Sequence, residues 1–452
     1  MHPHPLGAPA HLAVSKLGGR VLLLICLLLG GARFADANIT VLLEEPYSYD
    51  GALAGTGHTA VYLSRVCADS PTVLRRCFSG ERGVVISRYT RIGGYDWLAI
   101  PLIPYLYAVE KPEDIPLYAD PKLVAFLRDR YRHSHLEDIA PDAPSEEIPK
   151  GDWVQLIGSS YDRTSYGFQI ETTAAQDDAL IEWFNSRPNR ASYNAVSRNC
   201  ANFVRDVVNF YYPGAVSRGF ITDLEVTTPK HAAKSLARYS EHRSNLELTR
   251  IVFPQVPGTI KRSRPVRGVL ESVFRAKKYV LPLAALHPFI VGAVASAYFF
   301  GDRFNPARNA LVFNVSGDPE IPLPETERKM YFRSLEAGTP LNLDREAGRD
   351  AVLWRQFQQK AEIEMSESGR AMATGRAGDE DVEMGMSRDD FTRNDVPAEL
   401  QKGLLVTRLH QELGRGRAPK ISSSQFHEDW RLWQTVNQAE REEASRHPAT
   451  GN

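Results

Sequence analysis

Apolar and polar positions follow two periods along this 452-residue chain, and the switch between them lays out its expected architecture. Period two comes first. Ile39 to Leu43 is β-branched and apolar, and in Gly57 to Leu63 (GHTAVYL) His58, Ala60 and Tyr62 fall on one face while Thr59, Val61 and Leu63 fall on the other. Gly83 to Tyr89, Trp153 to Ile157 and Tyr166 to Thr172 predict further strands, with turn residues between them. An apolar run from Trp97 to Val109 is broken by Pro101 and Pro104.

The helical period then takes over. Lys122 to Arg132 and Ala179 to Asn185 predict short helices, and in YNAVSRNCANFVRDVVNFYYPG (193–214) Phe203, Val204, Val207, Val208 and Tyr211 recur every three or four residues. Asn199 is the expected N-cap, because its side-chain oxygen can accept from an unpaired N–H of the first turn, and Pro213-Gly214 ends the helix. Strands followed by a late helix predict an α+β fold over about 38–245.

Beyond it the pattern changes. Residues 246–278 read as a basic linker, in which Lys261, Arg262, Arg264, Arg267, Arg275, Lys277 and Lys278 are opposed by Glu271. Tyr279 to Phe300 is an apolar, uncharged segment long enough to span a bilayer, and residues 261–300 together predict membrane contact. Residues 301–345 read as an irregular extension with one strand-like run, Leu311 to Val315. Residues 346–452 predict a helical, partly disordered tail: helices at Ala351 to Met365, Pro397 to Leu413 and Gln425 to Arg446, and a Gly-, Met- and charge-rich disordered stretch at Gly369 to Asp395.

Composition adds two constraints. With 43% hydrophobic residues the chain can bury a core, and a net charge of −1 argues against a general nucleic-acid binder. At the N-terminus, Lys16 and Arg20 precede the run from Val21, and Ala35-Asp36-Ala37 is a small-x-small site, so residues 1–37 predict a signal peptide or N-terminal anchor and an exported protein of the periplasm or cell envelope. In that compartment Cys67 and Cys77 can close a local disulfide, which leaves Cys200 as a free thiol.

Cys200 stands at the expected first helical position, where the macrodipole and free N–H groups predict a lowered thiol pKa. SRNCANFV, preceded by Tyr193, resembles the Tyr…Asn-Cys-Glu-His-Phe-Val motif of the lecithin:retinol acyltransferase family, and GHTAVYL resembles that family's upstream Gly-His…Tyr-Leu strand. The resemblance implies a circularly permuted papain-like (NlpC-type) domain with an antiparallel sheet and a nucleophile helix, in which Cys200 is the nucleophile and His58 the general base. The motif departs in having Asn202 where the family has His, and no second histidine follows His58 by about a dozen residues. Ser87, Arg88 and Tyr89, at the end of the next strand, are the candidates for the group that orients His58.

His133 and His135 with Glu137 and Asp138 would form a metal-like cluster only on a strand, and the segment reads instead as an exposed loop leading into Pro141 and Pro144; no metal or cofactor is expected. Two functions follow. One is a cysteine hydrolase or acyltransferase acting on an amide or ester of a peptide or lipid through a Cys-His dyad and a thioester. The other is a non-catalytic, membrane-associated binding or scaffold protein that keeps the fold.

Overall fold

The computed structural model describes residues 37–47, 56–89, 92–142, 148–190, 193–194, 197–217, 227–268, 304–338, 346–367, 369–391, 396–414 and 420–446, with positions 271 and 289. The expected signal region and the apolar segment Tyr279 to Phe300 lie outside these residues, apart from Ala37 and Phe289. No helix among the described residues is long and apolar enough to cross a membrane.

The fold is mixed α+β with antiparallel pairing throughout its main sheet except at one edge. Strands β1 (Asn38–Glu44), β2 (His58–Leu63), β3 (Val66–Ser70), β4 (Val73–Arg76), β5 (Val84–Ser87), β6 (Leu98–Pro101), β7 (Ser165–Glu171), β8 (Thr249–Phe253) and β9 (Leu311–Val312) belong to its first three-quarters. Seven of them form one sheet in the order β6-β5-β2-β1-β7-β8-β9, in which only β8 and β9 run parallel. Strands β3 and β4 form a separate hairpin, stapled by the Cys67–Cys77 disulfide with a Cα separation of 4.8 Å. The side chain of Asn185 holds that hairpin by bonding both N–H and C=O of Leu74.

Alternation sorts each strand onto two cores, since successive side chains point to opposite sheet faces. Ile39, Val41 and Leu43 of β1 meet Val61 and Leu63 of β2 on one face, beneath helices α3 (Ala174–Asn185), α4 (Cys200–Tyr211) and α5 (Pro229–Glu241). Leu42, Ala60 and Val85 point to the other face, toward α1 (Leu102–Tyr107) and α2 (Pro121–His135). This second core continues into α6 (Glu325–Gly338), α7 (Glu346–Lys360), α8 (Ala398–Leu413) and α9 (Ser423–Arg446), where Trp354, Phe357 and Phe426 are buried.

Several expected boundaries change. Strand β8 lies inside the expected linker, and β9 makes residues near 311 part of the main sheet, so the sheet does not end at residue 245. The expected strand Trp153 to Ile157 is a 3-10 turn, Asp152–Leu156: Trp153 and Leu156, three apart, are the buried positions, a spacing that fits three residues per turn. Helix α6 occupies the expected irregular extension, and only the first part of Ala351 to Met365 is helical, because α7 ends at Lys360 and β10 (Glu362–Met365) follows.

The stretch expected to be disordered carries β11 (Ala371–Ala377) and β12 (Glu380–Gly385), which with β10 form a three-stranded antiparallel sheet. Its cause is a two-residue Gly378-Asp379 turn, with Gly378 at φ +67°, and alternating Met372, Val382 and Met384 that reach the core. His133 and His135 lie in the last turn of α2 rather than in a loop and pair with different carboxylates, Asp142 at 3.4 Å and Glu110 at 2.7 Å.

Candidate active site

Helix α4 begins at Cys200, and its start is fixed by a capping box: Asn199 Oδ1 accepts from the N–H of Asn202 at 2.8 Å, while Asn202 Oδ1 accepts from the N–H of Asn199 at 3.3 Å. Both amides also reach back to Thr227, Asn199 donating to its carbonyl at 3.2 Å and Asn202 to its hydroxyl at 3.3 Å. Asn202 therefore has a structural use at the position where the resembled motif carries histidine. Upstream of the cysteine, Asp96 pairs with Arg198 at 2.9 Å and with Arg88 at 2.7 Å, so one carboxylate joins the entry of α4 to the residue following β5.

His58 opens β2. Gly57 precedes it at φ +69°, and a Cβ there would lie 2.1 Å from the carbonyl oxygen of Glu44, so the close pass of the chain beside His58 needs glycine. The imidazole stacks on Tyr89, with centroids 5.1 Å apart and planes at 25°. Its Nε2 lies 3.0 Å from Ser87 Oγ. Ser87 also lies 2.8 Å from the carbonyl oxygen of Thr59, which can only accept, so the single hydroxyl proton of Ser87 goes there. Nε2 must then carry the proton that Ser87 Oγ accepts, which leaves Nδ1 as the basic nitrogen. Of the three orienting candidates, Ser87 bonds the ring, Tyr89 stacks on it, and Arg88 is turned to Asp96 and the face of Phe203.

Cys200 is a buried residue, only 8% exposed. Its sulfur lies against the backbone N–H groups of Thr59, Ala201 and Cys200 itself, so it sits beside the residue that follows His58, although no hydrogen bond joins it to the imidazole. Burial pushes the thiol up to about 11, a larger effect than the opposing pull of those N–H groups. The expected lowering by the helix start is thus reversed. Burial also pushes the His58 imidazolium down to about 3, helped by the positive charge of Arg163. The pair is neutral at neutral pH.

Behind it lies an ion pair that sequence patterning does not reveal. Glu44, the Cα partner of His58 across the β1–β2 ladder, is fully buried, and Arg163 Nη1 approaches its Oε2 to 3.0 Å. The Tyr105 hydroxyl donates to Glu44 Oε1 at 2.5 Å, and Tyr89 lies beside Tyr105. The parity of Glu44 with the inward-facing Leu42 was a signal for Glu44; for Arg163, more than a hundred residues later, none was available. Comparison of the chain with protein-family models, with curated proteins and with solved structures finds no match.

Proposed function

We propose that this chain is an exported thiol enzyme of the cell envelope, with the permuted papain-like arrangement that its motifs resemble, acting on an amide or ester of a peptide or lipid. The observation that carries the reading is the juxtaposition along β2: the only free cysteine among the described residues sits at a helix start against Thr59, the residue that follows His58, whose Nε2–H is committed to Ser87. Nδ1 takes the thiol proton as sulfur attacks the carbonyl carbon. The tetrahedral intermediate collapses, the amine or alcohol leaves with that proton, and water or a second acceptor cleaves the thioester. The N–H groups of Thr59 and Ala201 are the available oxyanion donors. Because both partners start neutral, proton transfer accompanies attack rather than preceding it. Residues 261–300 would bring the domain to a lipid surface.

The test is labelling of the folded chain with an iodoacetamide probe, together with mass-spectrometric detection of an acyl adduct on Cys200 after exposure to activated esters. Labelling and adduct lost in Cys200→Ala and slowed in His58→Ala support the enzyme. A folded protein whose Cys200 neither alkylates nor acylates would end it in favour of the second reading, a membrane-associated scaffold, which the burial of Cys200 and its raised thiol pKa favour.

A further inference from the structure

A cavity of about 320 Å³ lies between the chain following β8 and the helices α8 and α9, apart from Cys200 and every residue described around it. Its walls include half-buried Ile115, Val256 and Phe313 and the buried Phe426, apolar surface enough for a small hydrocarbon body.

The polar groups in it are few and unevenly satisfied. Arg408 is matched: its Nε and Nη2 donate to Asp429 Oδ2 at 2.9 and 2.8 Å, and Nη2 lies 2.9 Å from Glu412 Oε1. Arg388 pairs with Asp429 at 2.5 Å and with Glu428 at 3.4 Å. Two groups remain. Among the described residues, Glu412, 4% exposed, has an Oε2 with no hydrogen-bond partner, and Arg262 donates only to the neutral oxygens of Gln255, at 2.7 Å, and Gln411, at 3.5 Å. An orphaned carboxylate oxygen in a buried wall costs free energy until a donor reaches it. Burial pushes the Glu412 carboxyl up to about 7, against the opposing pull of Arg408, Arg388 and Arg262.

Of the charged side chains that line the cavity, Arg388 and Arg408 are met by Asp429 behind the wall, Glu113, Asp389 and Glu428 are exposed to water, and Glu412 and Arg262 are left incompletely matched. A ligand carrying both a cationic donor and an anionic acceptor would answer both of these groups. We infer that this cavity binds a small zwitterion with an apolar side chain, an α-amino acid of the leucine type, its ammonium on Glu412 and its carboxylate on Arg262.

Calorimetric titration of the full chain with L-leucine, 3-methylbutylamine and 4-methylpentanoate tests this. Saturable binding of leucine is expected, with each one-armed analogue weaker by at least about tenfold, the value of one charge-assisted bond. Glu412→Gln should abolish it. Ile115→Trp, which fills the cavity without touching the ion cluster, should do the same and serves if the first variant does not fold. Cys200→Ala should leave binding unchanged. Absence of leucine binding up to about 10 mM, equal affinity for the amine alone, or unaltered binding in Ile115→Trp would each overturn the inference.

Discussion

Ser87 Oγ stands 3.0 Å from His58 Nε2 while giving its own proton to the carbonyl of Thr59, so one hydroxyl selects the tautomer of the imidazole. His58→Ala is expected to slow acylation of Cys200 by about 10²–10⁴-fold, the usual worth of a general base. Ser87→Ala should cost less, because the ring remains but its tautomer is no longer fixed. A two-dimensional 15N spectrum of the histidine side chains checks the cause: the wild type should show Nε2 protonated, and the serine variant a mixture. If Ser87→Ala leaves both spectrum and rate unchanged, the orienting role is lost.

The neutral pair predicts how stability depends on pH. His58 binds its proton at about 3 in the folded chain and near its ordinary value when unfolded, so the unfolded state takes up the proton first as pH falls. Stability from this group is present above about 6.5 and is lost as pH drops toward 3. Cys200 works the other way: with its thiol up at about 11, the unfolded state ionises first as pH rises, and stability declines from about 8.5 toward 11. Urea unfolding at a series of pH values should give a plateau between these limits. In His58→Gln the acidic slope should fall by one proton, and in Cys200→Ala the alkaline slope likewise.

Breaking the Glu44–Arg163 pair should be costly, since both side chains are nearly or fully buried. Arg163→Met leaves an uncompensated carboxylate and is expected to destabilise the chain by about 3–5 kcal/mol in denaturant titrations. Removing the positive charge should also move the His58 pKa upward, readable by NMR titration. A variant as stable as the parent would show that the carboxylate finds another partner.

Gly57→Ala should be destabilising by about 1–3 kcal/mol, because alanine resists the left-handed φ and its methyl would overlap the Glu44 carbonyl. Thermal unfolding compared with Gly80→Ala separates the two causes, since Gly80 also has positive φ but open space around its Cβ position.

Replacing Cys67 and Cys77 by serine frees the β3–β4 hairpin from its cross-link and is expected to cost about 2–4 kcal/mol by the chain-entropy model. The loss should appear in wild type on addition of reductant and be absent in the double variant.

What could be read in the sequence was local. The cap at Asn199, the apolar stripe of α4 and the pairing of Cys67 with Cys77 all involve residues within a dozen positions of one another, where spacing translates directly into geometry. The thiol of Cys200 departs from the helix-start expectation because the helix start is a local property and burial is not. The Ser87 bond was one of three open choices, decided by the register of β2 against β5. In 369–391 the charges and glycines outweighed an alternation that the Gly378-Asp379 turn makes productive, and the wall that receives it comes from α7.

The parallel strand β9 and the reach of Arg408 to the carbonyl of Leu117 have a temporal consequence. Contacts that join residues 251 to 311, and 117 to 408, cannot form until the later partner of each has left the ribosome. The sheet remains an open-edged intermediate until its last strand emerges, and the second core waits for almost the whole chain.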